Sequence, residues 1–335
     1  MFKKSIILCS SLFLLAGCST GKSATDEVQL LNVSYDPTRE LYEDINHSFS
    51  KKWYEETGQK VTIQQSHGGS GKQGRAIIDG IRADVATLAL AYDIDEISKH
   101  RSLISKKWQS EKANHSAPYT STIVFLVRKG NPKKIKDWSD LIRSDISVIT
   151  PNPKTSGGAR WNYLAALSYA NEHDLNEFDF MKKLYQNVEI LDSGARGSTT
   201  TFAEREIGDV LITWENEAYL TLEEMNDKEF EIITPSISIL AEPPVTVIQK
   251  NSEKRGTTEV ANAYLDFLYT TEGQNIIAEN YYRPRNKEVL KKYRAQFPTL
   301  RIKTIEDFGG WQKAQQTYFA DQEQFDQIYE RGGKS

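Results

Sequence analysis

The sequence predicts an α/β fold of two lobes, each a mostly parallel sheet flanked by helices. Short apolar runs typical of buried strands alternate with segments of helical periodicity, an order that favours parallel strands joined by helices. The chain has 335 residues. About 310 of them would remain after loss of an N-terminal leader, which is enough for two lobes. In such a fold, ligands bind at the carboxyl ends of the strands.

The first strand-to-helix junction follows a strand predicted at Val28–Tyr35. Asp36 offers a helix N-cap, and Pro37 suits the first helical position. The helix beyond has one apolar face, with a residue at every fourth position: Leu41, Ile45, Phe49 and Trp53. The first junction therefore ends a strand and begins an amphipathic helix.

The second junction is rich in glycine. A strand predicted at 61–65 leads into His-Gly-Gly-Ser-Gly-Lys at 67–72, and the helix that follows carries Ile77, Ile78 and Ile81. Glycines let a ligand come close to the main chain. This junction therefore suits a ligand held by backbone groups.

The third and fourth junctions repeat this pattern. A strand at 146–150 precedes the loop 152–160 and a helix at 159–170. A strand at 188–191 precedes the loop 193–198 and a helix at 200–207, and a further strand at 209–213 ends before Trp214. The first turn of a helix presents free N–H groups and favours negative charge. Four junctions of this kind predict a shared site for an oxyanion.

Several segments resemble, in the same order, the periplasmic sulfate-binding proteins of ABC importers. They are Leu-Leu-Asn-Val-Ser-Tyr-Asp-Pro-Thr-Arg-Glu at 30–40, the segment 65–73, the third junction, 192–199 and Gly-Asp-Val-Leu-Ile at 208–212. The resemblance covers roughly the whole mature chain. It implies the type II periplasmic-binding-protein fold, in which two lobes close on a ligand in the cleft between them.

In that fold the chain crosses between the lobes more than once. We expect one lobe to comprise 28–109 and 245–335, and the other 120–239. Hinges are expected near 116–119 and 240–244, where prolines stiffen an extended crossing.

The resemblance also implies how the anion is bound. The family holds it with backbone N–H groups and a few side-chain donors, and no charged side chain is required if enough dipoles point at the ion. The matching positions are the N–H of Asp36, Ser70, the hydroxyl of Ser156, the N–H groups of Gly157, Gly158 and Ala195, and the indole of Trp214.

Trp214 bears on selectivity. An aromatic residue at a strand end is usually part of the core, but an indole only donates and therefore suits a fully deprotonated anion. Relatives that resemble thiosulfate-binding proteins tend to have phenylalanine here and to lack the second glycine, Gly158. A donor-only site would reject hydrogen phosphate. Asp36 could accept its proton if the carboxylate turned inward, although an N-cap residue faces its own helix.

Nearby cations offer an alternative to neutral donors. Residues Arg39, Lys72, Arg75, Arg160 and Arg196 flank the junctions. They could contact the anion directly, pair with acids such as Asp36 or Glu215, or steer the ion during its approach. The family pattern favours the last two roles, and we place Arg39, Lys72, Arg160 and Arg196 behind the donors.

The N-terminus has the form of a lipoprotein signal. Lys3 and Lys4 precede an apolar stretch at 6–15, and Leu-Ala-Gly at 15–17 precedes Cys18. We expect a signal peptide at 1–17, a lipid on Cys18 and a polar tether over 18–27. The protein would then be exported, extracytoplasmic and anchored to a membrane by lipid.

Composition and spacing exclude other classes. The net charge is −4, and loss of the leader lysines would make it −6, which does not suit nucleic acid. Segment 69–73 lacks the phosphate-loop form, 68–72 is not a nucleophile elbow, and the five histidines show no metal-ligand spacing. His67 is interpreted as bracing its loop. We expect no enzymatic activity, no cofactor and no metal, and a monomer.

The sequence therefore predicts a sulfate receptor that delivers its ligand to an ABC permease and its ATPase subunits. A thiosulfate or molybdate receptor of the same fold is an alternative, although molybdate is larger and would fit short Ser and Gly loops poorly. A surface lipoprotein with a scaffold role is the alternative from another class.

Overall fold

The computed structural model describes residues 27–225 and 229–331. The predicted signal peptide, Cys18 and the tether as far as residue 26 lie outside the described residues. Two larger sheets and two small ones are flanked by helices. Within the described part of the chain, no helix is long and apolar enough to cross a membrane.

The strands are β1 (Val28–Tyr35), β2 (Val61–Gly68), β3 (Val85–Thr87), β4 (Tyr119–Thr120), β5 (Ile123–Arg128), β6 (Val148–Pro151), β7 (Val188–Asp192), β8 (Val210–Trp214), β9 (Phe230–Ile233), β10 (Ser238–Ile239), β11 (Val245–Val247), β12 (Arg283–Pro284) and β13 (Ile302–Lys303).

The helices are α1 (Arg39–Thr57), α2 (Ser70–Asp79), α3 (Ala91–Arg101), α4 (Ala113–Ser116), α5 (Gly157–Glu172), α6 (Glu177–Gln186), α7 (Ala195–Ala203), α8 (Glu215–Glu224), α9 (Gln249–Arg255), α10 (Thr258–Phe267), α11 (Thr271–Glu279), α12 (Lys287–Lys292), α13 (Gly310–Ala314) and α14 (Gln324–Arg331). Shorter 3₁₀ turns lie at Asp36–Thr38, Trp108–Ser110, Trp138–Ile142 and Ile305–Phe308, and a π-helical turn lies at Gln315–Phe319.

The first sheet has the strand order β11-β3-β1-β2. Its β1 pairs in parallel with both β2 and β3, whereas β11 runs antiparallel to β3. The second sheet has the order β7-β6-β8-β5-β9. Here β7, β6 and β8 are parallel, and β5 and β9 run antiparallel to their neighbours. The α/β prediction is confirmed, with both sheets mixed.

Short pairings join the segments that run between the two sheets. Strand β4 pairs with β12, β10 pairs with β13, and Ser121 forms an isolated bridge with Ala241. These segments include the predicted hinges. The lobe boundaries themselves stay a prediction.

The apolar pattern of the first helix is confirmed by packing. The predicted face of α1 is buried: Leu41, Ile45, Phe49 and Trp53. This face packs into a core that also includes Leu30 of β1 and Tyr264 of α10. Helix α1 is therefore held by an amphipathic stripe, as its spacing predicts.

Several junction details differ from the sequence predictions. Helix α2 ends at Asp79, so Ile81 lies beyond it and is exposed. Helix α5 begins at Gly157 rather than at residue 159, and β8 includes Trp214.

Asp36 does not take an N-cap position, because it begins a 3₁₀ turn whose N-cap residue is Tyr35, and the N-cap residue of α1 is Thr38. The helix after the fourth junction is predicted at 200–207, but this helix, α7, begins at Ala195 and ends at Ala203. Gly194 takes an extended N-cap conformation there, and the small residues that suggested a loop are accommodated in the first helical turns.

The C-terminal segment contacts helices that flank both sheets. Gln312 donates to Asp95 of α3, on the side of the first sheet. Further along, Phe325 packs against Tyr163 of α5 and Tyr185 of α6, which flank the second sheet. The tail therefore crosses from one side to the other, because aromatic residues on α5 and α6 bury its last helix.

Candidate functional site

The second, third and fourth junctions meet at Gly69. A Cβ atom added to Gly69 would lie 2.5 Å from the carbonyl oxygen of Thr155 and 3.1 Å from that of Ser193. Real Cβ atoms do not approach other atoms at 2.5 Å, so only glycine fits this position. Gly69 follows β2 of the first sheet, whereas Thr155 and Ser193 follow β6 and β7 of the second sheet. The contact therefore joins the first-sheet side of the cleft to the second-sheet side.

A second close contact joins the same two sides. A Cβ added to Gly157 would lie 2.8 Å from the Cβ of Ser70 and 2.9 Å from the Cβ of Ala89. Residue 157 must therefore stay small for the two sides to pack in this arrangement.

The first junction faces the fourth. A Cβ added to Gly194 would lie 2.0 Å from Oδ2 of Asp36 and 3.8 Å from the backbone nitrogen of Gly69. The Asp36 carboxylate thus points across the cleft rather than toward its own helix. The structure brings all four junctions together, as the sequence predicts.

Helix N-termini supply the backbone donors at this meeting point. Helices α2, α5 and α7 begin at Ser70, Gly157 and Ala195. The first N–H groups of an α-helix have no acceptor within the helix. Three helices of 10, 16 and 9 residues therefore direct N–H groups and the positive ends of their dipoles into one cleft.

The two serines of the site differ in what their hydroxyls can do. Ser156 caps α5, and its hydroxyl oxygen accepts from the N–H of Ala159 at 3.3 Å. Its proton is thereby directed away from the helix. The hydroxyl of Ser70 donates to Oδ2 of Asp93 at 2.5 Å and accepts from the N–H of Ala89 at 3.0 Å. Ser70 therefore offers its backbone N–H to the cleft.

Trp214 lies at the end of β8, beside the third junction. Its ring is buried and lies 5.4 Å from the ring of Tyr35 between centroids. The indole Nε1 donates weakly to the carbonyl oxygen of Gly158 at 3.3 Å, and a Cβ added to Gly158 would also lie 3.3 Å from Nε1. Gly158 thus lets the indole N–H reach the start of α5.

The charge of Asp36 is moderated by its surroundings. Burial raises the pKa of the Asp36 carboxyl, against the opposing effect of the Arg39, Arg196 and Lys72 charges. A carboxylate facing the cleft can accept a hydrogen bond, so the donor-only description of the site depends on this residue.

Arg196 pairs with acids on both sides of the cleft. Its Nη2 lies 3.0 and 2.9 Å from the two carboxylate oxygens of Glu40 on α1. Its Nε lies 3.3 Å from Oε1 of Glu217, which is buried on α8, and its Nη1 lies 3.8 Å from Glu224. The pairing with acids is therefore confirmed for this arginine, with partners other than Asp36 and Glu215. Glu215 pairs instead with Arg283 at 2.6 Å.

Arg160 is buried and held by neutral groups. Its Nε donates to the carbonyl of Pro153 at 2.9 Å and its Nη1 to Gln315 at 2.8 Å. The guanidinium also lies over the rings of Tyr92 and Phe319. These contacts position the third junction. Arg39 and Lys72 are exposed.

Sequence reasoning missed the residues that join the two sides. Glu40, Thr155 and Ser193 lie within the segments 30–40, 152–160 and 193–198, but no role was predicted for them, because each contacts a residue distant in the chain. Asp93, which accepts a hydrogen bond from Ser70 on the first-sheet side, was marked by no pattern. The glycine at 69 was visible in the loop pattern, but its contact with the Thr155 carbonyl was not.

His67 braces the second junction, as predicted. Its Nδ1 lies 3.3 Å from the carbonyl oxygen of Tyr35, and its Nε2 contacts Gln65. Burial, the largest cause, lowers the pKa of His67 to about 4. The imidazole is therefore neutral at pH 7. Among the described residues, no group of His, Cys, Asp and Glu side chains is arranged to hold a metal ion.

A His67→Gln substitution should flatten the pH dependence of stability. The pKa of His67 is about 4 in the folded chain, below the ordinary value near 6.5, so the unfolded chain binds this proton first as pH falls. Stability is then lost between pH 6.5 and 4. Since the side chain is partly exposed, we expect the variant to lose about 1 to 2 kcal/mol less than the natural chain over this range.

Urea unfolding at pH 7 and pH 4.5 measures this difference. Asp36 and Glu217, whose carboxyl pKa values burial raises, titrate equally in both proteins and cancel in the comparison. Equal pH slopes for the two proteins would contradict a neutral, partly buried His67.

Known proteins match the chain over most of its length. A family model described as bacterial extracellular solute-binding protein matches residues 30–283. A sulfate-binding protein of Escherichia coli strain K12 is 61% identical over 324 residues, 95% of this chain and 97% of its own. A thiosulfate-binding protein of Pseudomonas aeruginosa is 48% identical, covering 96% and 98%. The solved sulfate-binding protein of Mycobacterium tuberculosis superposes with a TM-score of 0.79 at 31% identity, covering 86% and 98%.

Proposed function

The chain belongs to the family of bacterial extracellular solute-binding proteins, and from that premise we propose that it binds sulfate outside the cytoplasm and delivers it to an ABC importer. One observation carries the proposal most strongly. The N-termini of α2, α5 and α7 meet at a single cleft, where N–H groups and helix dipoles can hold a dianion.

The proposed ligands of sulfate are neutral donors. They are the backbone N–H groups of Asp36, Ser70, Gly157, Gly158 and Ala195, the hydroxyl of Ser156 and the indole of Trp214. Arg196 and Arg160 hold the junctions that carry these donors and do not bind sulfate themselves. Their guanidinium groups bond instead to Glu40, Glu217 and to carbonyl or amide oxygens of the protein.

Thiosulfate is the second candidate, because a thiosulfate-binding relative is 48% identical. Trp214 and Gly158 favour sulfate. The indole N–H beside Gly158 is a hydrogen-bond donor, and the sulfur atom of thiosulfate accepts hydrogen bonds more weakly than oxygen does. Molybdate and a scaffold role have no comparable support in the arrangement of the site.

Titration of the chain from residue 19 onward tests this function. The protein is unfolded and refolded to remove carried ligand, and sulfate, thiosulfate, molybdate and phosphate are added with calorimetry as the readout. We expect tight sulfate binding that phosphate does not displace. Equal competition by phosphate would assign Asp36 as an acceptor, and no binding of any oxyanion would overturn the proposal.

The remaining sequence predictions join this proposal. We infer a lipid on Cys18, a monomer, no enzymatic activity, and two lobes that open at 116–119 and 240–244. Metabolic labelling with a radioactive fatty acid checks the first of these. Label in the natural chain and none in a Cys18→Ser variant is the expected result.

A Glu40→Gln substitution should speed sulfate release. It removes one charge of the pair that spans the cleft while leaving Arg196 paired with the buried Glu217. The Arg196 and Glu40 side chains are each 28% exposed, so we expect the sulfate-bound closed form to lose about 0.2 to 1 kcal/mol of stabilisation. Dissociation measured at low and high salt checks this, because salt screens the natural pair.

Glu43→Gln is the matched control. Glu43 lies on the same helix, is exposed, and has the same change in charge. If both variants release sulfate equally fast, net charge rather than the ion pair controls release.

A further inference from the structure

A hydrogen bond crosses the cleft beside the candidate site without being part of it. Trp161 of α5 is fully buried, and its indole Nε1 donates to the carbonyl oxygen of Ala89 at 2.9 Å. Ala89 follows β3 of the first sheet, whereas α5 follows β6 of the second. This bond therefore exists only while the two sides are together.

Ala89 also contacts the second junction directly. Its N–H donates to the hydroxyl of Ser70 at 3.0 Å, and that hydroxyl donates to Asp93 at 2.5 Å. Ala89 is thus held from the first-sheet side by Ser70 and from the second-sheet side by Trp161. The indole of Trp161 is therefore connected, through Ala89, to Ser70, one of the residues proposed to bind sulfate.

The geometry points to Trp161 as a positioning residue: we propose that its indole clasps the Ala89 carbonyl across the cleft, holds the Ser70 junction in place and slows release of the anion. This inference rests on the proposed function, because it concerns the same site. The indole does not contact the anion. It acts on the arrangement of groups that do.

The Trp161 ring is also held by packing against the C-terminal segment. The ring of Trp311 meets the ring of Trp161 edge to face, with 4.6 Å between centroids. The next residue, Gln312, bonds to Asp95 and Lys99 of α3. The C-terminal segment thus supports the indole and is itself fixed to the first-sheet side.

The clasp differs physically from the Arg196–Glu40 pair. An indole N–H and a peptide carbonyl carry no net charge, so their bond is insensitive to ionic strength, whereas a partly exposed ion pair is screened. The two contacts can therefore be separated by salt.

A Trp161→Phe substitution removes the donor and keeps most of the ring. We expect radiolabelled sulfate to dissociate about threefold to tenfold faster, the loss of one hydrogen bond. The association rate should change little, because the clasp forms after the anion enters. The ratio of dissociation rates should be the same at low and high salt. Radiolabel is used because the variants alter tryptophan fluorescence.

Trp138→Phe is the matched control. Trp138 is also fully buried, and its indole donates to the carbonyl of Ile237 at 2.9 Å. The Trp138 ring packs edge to face on Phe125 of β5, and Ser238, next to Ile237, bonds to Ile123 of the same strand, so this bond does not cross the cleft. The control removes an equivalent hydrogen bond and should leave the dissociation rate unchanged.

Three results would overturn the clasp: unchanged release from the Trp161 variant, equal acceleration by the control, or a strong dependence of the effect on salt. If the variant does not fold, exchange of the Trp161 indole proton in the natural protein decides. Slow exchange with sulfate and fast exchange without it supports the proposal, and equal exchange contradicts it. Absence of sulfate binding to the natural chain would instead contradict the proposed function, and it is measured first.

Discussion

A Gly69→Ala substitution is expected to weaken sulfate binding about tenfold to a hundredfold, the largest effect we anticipate from a single methyl group. The new Cβ would lie 2.5 Å from the carbonyl oxygen of Thr155 across the cleft. Backbone atoms cannot turn aside as a flexible side chain can. The two sides would therefore stay apart by enough to weaken every donor on one of them.

The folded chain without sulfate should tolerate this change. Gly69 has φ −55° and ψ 133°, which alanine adopts without strain. We expect an unchanged melting temperature without sulfate and a smaller rise when sulfate is added, since ligand stabilises in proportion to affinity. Calorimetric titration and thermal melts measure both quantities.

Gly71→Ala is the matched control for this experiment. Its added Cβ would lie 3.7 Å from Asp93 and 3.9 Å from the same Thr155 oxygen, which is ordinary contact. Binding close to that of the natural chain is expected. If Gly69→Ala also binds normally, the junctions do not approach this closely in the bound protein.

A Trp214→Phe substitution is expected to weaken sulfate binding by about 1.5 to 3 kcal/mol, the usual contribution of a hydrogen bond to a charged group. Phenylalanine keeps an aromatic ring against Tyr35 but has no N–H. The variant should lose less affinity for thiosulfate than for sulfate if the terminal sulfur atom of thiosulfate faces this position. Parallel titrations with both anions give the ratio.

Trp53→Phe provides a control at the far end of α1. The indole of Trp53 donates to Gln59 at 3.0 Å, away from the junctions. Its loss should leave sulfate binding unchanged. An unaltered affinity in the Trp214 variant would mean that this indole serves only to contact Gly158 and to pack.

Local patterns in the sequence determined the elements that build the site. The fourfold spacing of apolar residues predicted α1, and the strand at Val28–Tyr35 was predicted with the bounds that it has. Glycines and serines after strands predicted that helices follow the second and third junctions, where α2 and α5 lie. These features are local, because a strand end, a cap and a helix face depend on residues within a few positions of one another.

Tertiary structure decided how those elements face each other. Asp36 was expected to cap its own helix, but its carboxylate points across the cleft to Gly194. Three further contacts were not predicted: Arg196 with Glu40, Gln312 of the C-terminal tail with Asp95, and Trp161 with Ala89. Each joins residues that are 72 or more positions apart in the chain. Such contacts leave no periodic trace in one sequence. They arise only when packing of the two sheets and their connecting strands brings distant segments within hydrogen-bond distance.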